Sequence, residues 1–148
     1  MKRIGIGTRR AWMIAAILAL TGLGMVPSAF GQDKPKERVV LQVSDDNEKN
    51  WTTAFNVVNN LTNAYGKGNV EIEIVAFSDG IRSLMFDSKV QGRFAGARDR
   101  GARILACENS MARFKLKRSD MGTEVDYVPT GVVHMINRQK QGWTVIRP

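Results

Sequence analysis

The chain has a single cysteine, Cys107, and a single histidine, His134. One cysteine cannot close an intramolecular disulfide, which excludes the small exported scaffolds stapled by several bridges; an unpaired thiol in such a chain stands out instead. No histidine stands at ligand spacing from Asp45, Asp46 or Asp79, so no metal site is read there; helix capping and loop solvation account for these carboxylates. Aromatic residues make up only 7% of the chain. The basic stretch Arg93, Arg98, Arg100, Arg103, Arg113, Lys115, Lys117 and Arg118 is neither interleaved with expected exposed aromatics nor carried on a known nucleic-acid motif, and it reads as a solvated face. The chain lacks G-x-S-x-G, G-x-x-x-x-G-K-[ST] and G-x-G-x-x-G, which removes the sequence support for a serine hydrolase or a nucleotide-phosphate site. It also lacks internal repeats and low-complexity tracts.

What is present begins with an unusual first thirty residues. Lys2, Arg3, Arg9 and Arg10 form a basic start, residues 11–26 (AWMIAAILALTGLGMV) carry no charge, and "PSAFGQD" then offers the small residues Ala29 and Gly31. This order reads as a cleavable signal peptide over residues 1–31, cut after Gly31, and hence as an exported, periplasmic protein. The apolar stretch falls short of the about 17 to 25 residues of a spanning helix, and Gly22, Gly24 and Pro27 weaken it, so a membrane role is expected only if the segment stays uncleaved. The arginine pair in "TRRAW" leaves a twin-arginine route open beside the general one. The formal net charge of +8 belongs partly to this segment, and the remainder is only mildly basic. Residues 32–37 (QDKPKE) read as a flexible leader, with the folded domain over 38–148.

Hydrophobic spacing sets the elements beyond that point. "RVVLQVS" (38–44) and "VEIEIVAFS" (70–78) read as strands, the second with one end more exposed. Between them Trp51, Ala54, Phe55, Val58, Leu61, Thr62 and Tyr65 recur at helical spacing, with Asp46 or Asn47 as N-cap and Gly66 as the stop; "GKGN" (66–69) is the turn that follows. A crossover of this length favours a parallel, right-handed pair. A short helical turn in "IRSLMFDSK", a glycine-weakened helix over 90–101, a strand over 102–107, a helix over 108–117 and a strand over 123–129 extend the pattern. A helix over 130–142, with Val132, Val133 and Ile136 inward, and a last strand in "WTVIRP" complete it. Five strands alternating with helices predict a three-layer α/β/α sandwich around a mainly parallel five-stranded sheet.

Ligands of such sheets bind beyond the carboxyl ends of the strands. The loops predicted there contain Ser44, Asp45 and Asp46, then Ser78, Asp79 and Gly80, then Cys107, Glu108, Asn109 and Ser110. Cys107 closes a strand and precedes a helix, so unpaired helix amides would favour its thiolate, whereas a buried strand end would make it an inert small hydrophobe. A Cys–His nucleophilic pair would need His134 within hydrogen-bond reach of Cys107. A lone helical histidine is more often an ordinary surface or edge residue.

"RVVLQVSDDNEKNW", "NVEIEIVAFSDGIRSL", "GARILACENSM" and "VPTGVVHMINRQKQGWTVIRP" together resemble the DsrE/DsrF-like sulfur-relay family in its exported single-domain branch. The resemblance covers nearly all of residues 38–148, and it implies a small α/β domain with a flavodoxin-like arrangement that assembles as a homo-oligomer, often a trimer or hexamer. It further implies that a cysteine at the start of the helix after the third strand, Cys107 here, accepts a sulfur atom as a persulfide and passes it between donor and acceptor proteins; Asn109 and Ser110, at the start of that helix, are read as supporting it. No cofactor is implied. Glu108 stands where relatives often have glycine, and its carboxylate would oppose thiolate formation if the side chains approached. His134 stands where relatives often have an acidic residue, which argues against a catalytic role for it. The other expectation is a noncatalytic module of the same fold that binds a small ligand or a partner.

Overall fold

The computed structural model describes residues 37–148. The signal peptide and leader expected upstream lie outside the described residues, apart from Glu37, which already belongs to the sheet. Five strands, β1 (Glu37–Val43), β2 (Val70–Ala76), β3 (Ala102–Cys107), β4 (Asp126–Val128) and β5 (Thr144–Ile146), form one sheet in the order β4-β3-β2-β1-β5, parallel throughout.

That order, together with right-handed crossovers, decides where the helices go. The chain steps β1 to β2 to β3 to β4 in one direction, so α1 (Glu48–Tyr65), α2 (Phe94–Asp99) and α3 (Glu108–Arg113) fall on one face. It then returns across the sheet to β5, which puts α4 (Gly131–Lys140) on the other. The helices therefore cover both sides of the sheet, three against one.

Side-chain alternation follows this division. Val39, Leu41, Val43, Ile72, Ile74, Ile104 and Ala106 pack with Trp51, Ala54, Phe55 and Val58 of α1 and with Phe94 of α2 in the larger core. Val40, Val75, Leu105, Val128, Met135 and Trp143 form the smaller core beneath α4. Asn47 caps α1, its side chain accepting from the Lys49 amide at 3.0 Å, and Gly66 ends the helix at φ 90°. Gly80 lies where any Cβ would come within 2.3 Å of the Val43 carbonyl oxygen, so the loop after β2 closes on the end of β1 only without a side chain.

Several elements differ from the sequence expectation. The helix expected over 108–117 ends at Arg113, because Lys115 turns left-handed (φ 57°) and the Leu116 and Lys115 amides bond back to Met111 and Ala112. This is a Schellman stop with lysine in the place glycine usually takes, so the usual sequence signal is missing. The segment after β2 is a 3₁₀ helix over Ser78–Leu84, and β4 is shorter than expected, Asp126–Val128 in place of 123–129. On α4, Val132, Val133 and Ile136 are exposed, not inward. The inner face carries Gly131, His134, Met135 and Arg138 instead, because the sheet presents a buried carboxylate, Glu73, for His134 and Arg138 to meet.

Candidate functional site

Cys107 is the last residue of β3 and directly precedes α3. Alternation along β3 turns its side chain toward the α4 face, where only 3% of the residue is exposed. The Gly131 amide, in the first residue of α4, donates to Sγ at 3.2 Å. The sulfur therefore lies where the amino ends of two helices converge, one following it in sequence and one arriving from the far side of β4. A Cβ on Gly131 would stand 3.2 Å from Phe77 Cβ, 3.3 Å from Cys107 Cβ and 3.3 Å from Val75 Cγ1, so glycine is what lets α4 approach the thiol this closely.

Two opposing effects set the acidity of the thiol. Burial pushes it up; the Ser110 hydroxyl and the amides of Gly131, Ser110 and Asn109 act against burial and leave it below the ordinary cysteine value. The Ser110 oxygen accepts from the Ser78 amide at 2.8 Å, which leaves the hydroxyl proton for the sulfur. Ser78 holds a left-handed backbone (φ 50°), a strained conformation for serine that aims this amide. Asn109 ties the two helix starts together: its amide donates to the Pro129 carbonyl at 3.2 Å and its side chain to Thr130 Oγ1 at 3.0 Å. Glu108 turns to Arg118, 2.7 Å away, and Arg118 in turn stacks over Tyr127, so the neighbouring carboxylate carries its own counter-charge.

His134 does not serve the thiol. Its Nε2 lies 2.7 Å from Glu73 Oε2. Arg138 grips the same carboxylate twice, at 3.0 and 2.7 Å, and Arg103 reaches it at 3.2 Å. The Glu73 side chain is 2% exposed. Burial would push its carboxyl up, but the hydrogen bonds from Arg138 and His134 and the Arg138 charge outweigh that and hold it below the ordinary glutamate range. Arg103 and Arg98 continue the pairing to Asp126, and Arg98 to Glu124, so part of the basic stretch is spent on internal pairs.

The other strand-end residues divide into two groups. Ser78 joins the thiol's support through Ser110, and Gly80 closes the loop behind it. Ser44, Asp45 and Asp46 stay with local structure: Ser44 accepts from Gln42, Asp45 accepts from Asn50 and pairs with Arg147, its carbonyl takes the Trp51 indole, and Asp46 is exposed. Asp79 is half-buried in the 3₁₀ turn. Among the described residues no three His, Cys, Asp or Glu side chains gather as a metal site requires. Two shallow clefts of about 240 and 230 Å³ lie away from the sulfur, one lined by Phe55, Asn59 and Arg93, the other by Glu73, Arg103, Arg138 and Trp143. The residues not singled out in the sequence are Gly131 and Glu73. Glu73 had a signal: in "VEIEIVA" it falls on the same face as Val75, in what became the central strand of a sheet covered on both sides.

The model of the DsrE/DsrF-like family matches residues 37–148. The chain belongs to the DsrE/DsrF-like family. Members of this family often oligomerise and act in sulfur relay. The chain is similar to protein MTH1491 from Methanobacterium thermoautotrophicum, with 34% identity and a TM-score of 0.72 over 76% of this chain and 100% of that one. It shares its fold with BT1422 from Bacteroides thetaiotaomicron, at 18% identity and TM-score 0.55 over 76% of this chain and 95% of the other. It also shares it with ychN from E. coli, at 8% identity and TM-score 0.59 over 76% and 99%. No curated protein matches the chain.

Proposed function

We propose that the protein handles sulfur in an exported, periplasmic compartment, with Cys107 carrying sulfane sulfur as a persulfide. The observation that carries this reading is the Gly131 amide donating to Sγ at 3.2 Å, in a setting where the Ser110 hydroxyl and nearby amides hold the thiol below its ordinary value and so favour the thiolate, the form that attacks sulfur. The thiolate attacks the outer sulfur of a donor R–S–SH. The new bond is Cys107 Sγ–S, the donor's S–S bond breaks, and the donor leaves as R–S⁻; the transferred proton stays on the terminal sulfur. Delivery to an acceptor thiolate is the same exchange in reverse. Because the residue is 3% exposed, the structure around the sulfur, the start of α4 included, has to open for a donor to reach it. The assembly expected for this reading is a homo-oligomer, a trimer or hexamer, working with a donor or acceptor protein. Incubating the protein with a persulfide or thiosulfate-type donor should add one sulfur atom to the intact mass, and Cys107→Ser should abolish the gain; no adduct with any of several donors overturns the reading.

Burial of Cys107 favours a second reading, a noncatalytic module of the same fold that binds a ligand or partner. An alkylating reagent separates the two. Modification of the native protein at measurable rate supports the carrier, and a thiol that reacts only after unfolding supports the module.

A further inference from the structure

The polar cluster around Glu73 has no part in the chemistry just described, yet it is built into the helix whose first amide touches the sulfur. The inner face of α4 is short of apolar anchors. Val132, Val133 and Ile136 point outward, and of the inward positions only Met135 buries an apolar side chain in the core beneath the helix. The remaining inward positions are Gly131, at Cys107, and His134 and Arg138, at Glu73. Positions 131, 134, 135 and 138 follow the three- and four-residue spacing of one helix face, so the thiol contact and the carboxylate contact are made by one rigid rod, with ends about 10 Å apart at 1.5 Å per residue.

We propose that Glu73 is a positioning residue for Cys107: by clamping Arg138 and His134 it fixes the height of α4 over the sheet and so keeps the Gly131 amide on the sulfur. The clamp draws on α4 and on the neighbouring strand β3, and it borders the cleft lined by Glu71, Glu73, Arg103, Arg138 and Trp143. Arg138 and His134 come from α4, Arg103 from β3 in register with Glu73 itself, and Trp143 stacks under Arg138 with 4.7 Å from guanidinium to ring centroid. At the sulfur the facing groups are Ser110 and Asn109 from α3 and Gly131 from α4, with Glu108 turned away to Arg118. At the thiol end the helix backbone sits close to the sheet: a Cβ built on Gly131 would stand 3.2 to 3.3 Å from Phe77, Cys107 and Val75. With the sheet beneath it, a helix released at Arg138 is expected to lift outward, which would lengthen the N–H···S contact and open the thiol.

This inference rests on Cys107 being the reacting group, but its test needs no sulfur donor and so stands apart from the test of sulfur carriage. The alkylation rate of Cys107 is measured against pH in the intact protein, in Glu73→Gln, in Arg138→Met and in Arg138→Lys, each checked for folding by circular dichroism. Loss of the clamp in Glu73→Gln and Arg138→Met should move the midpoint of the rate profile up by about one pH unit, equivalent to about tenfold less thiolate below the midpoint. The same variants should raise the plateau rate at high pH, because the thiol is more open. Arg138→Lys, which keeps a cation for the carboxylate, should restore part of both changes, a pattern that general loosening of the fold would not produce. Folded Glu73→Gln or Arg138→Met protein with the parent midpoint and plateau overturns the proposal. Should Glu73→Gln not fold, the more exposed Arg138→Met decides by the same criterion.

Discussion

At Cys107 the buried sulfur meets fixed protein donors, and single substitutions can disturb them. Ser110→Ala takes away the hydroxyl proton offered to the sulfur and strands the Ser78 amide, whose acceptor it was. The thiol should titrate higher in a pH-dependent alkylation profile, and denaturant unfolding should show a loss of about 1–3 kcal/mol for the orphaned donor. Gly131→Ala places a methyl group 3.2 to 3.3 Å from Phe77, Cys107 and Val75, tight enough that either a neighbour or α4 itself has to give. That variant should also raise the thiol's titration, with a stability loss of about 1–3 kcal/mol from overpacking, read by the same two methods. The sequence placed Cys107 at a strand end before a helix because the apolar run "ARILAC" stops there. It could not reveal the Gly131 contact, since a residue 24 positions away reaches the sulfur only after the chain has crossed β4.

The elements were legible where period and punctuation agreed, and less so where a turn or a helix face was set by tertiary contacts. α1 was readable because Trp51, Ala54, Phe55 and Val58 keep strict helical spacing between Asn47 and Gly66. α3 ran short of its expected length because Lys115 takes the left-handed position. Lys115→Gly should therefore stabilise the protein by up to about 1 kcal/mol, seen as a higher midpoint in thermal unfolding, since glycine adopts φ 57° without a steric cost. α4 was found but faced wrongly. Its apolar residues suggested an inward stripe at 132, 133 and 136, and the buried carboxylate on β2 reversed that choice by pairing with 134 and 138. A helix docked on a charged strand residue cannot be oriented from its own hydrophobicity.

At the scale of the domain, among the described residues, the strand order β4-β3-β2-β1-β5 gives an uneven sandwich, three helices on one face and one on the other. The thinly covered face holds both the sulfur and the buried ion cluster, so stability and thiol chemistry respond to the same helix. Glu73 is held below its ordinary titration range in the folded state, so the unfolded chain takes up its proton first as pH falls. Its contribution is thus fully present above the ordinary glutamate range and is lost as pH falls through the lower folded value. Unfolding followed from neutral to acid pH should show this decline, and Glu73→Gln, already less stable at neutral pH, should show a flatter one. The alternation of strands and helices made the sheet readable from sequence, whereas the face that each crossover takes depended on strand order, which local pattern does not encode. Sulfur carriage is tested most directly by a round trip on the intact protein: load with a sulfane-sulfur donor, remove the donor, add an acceptor thiol, and follow the intact mass. The account predicts a gain of one sulfur atom at Cys107 that disappears as the acceptor takes it up. A protein that never gains the atom, or a Cys107→Ser variant that gains it equally, would contradict the account.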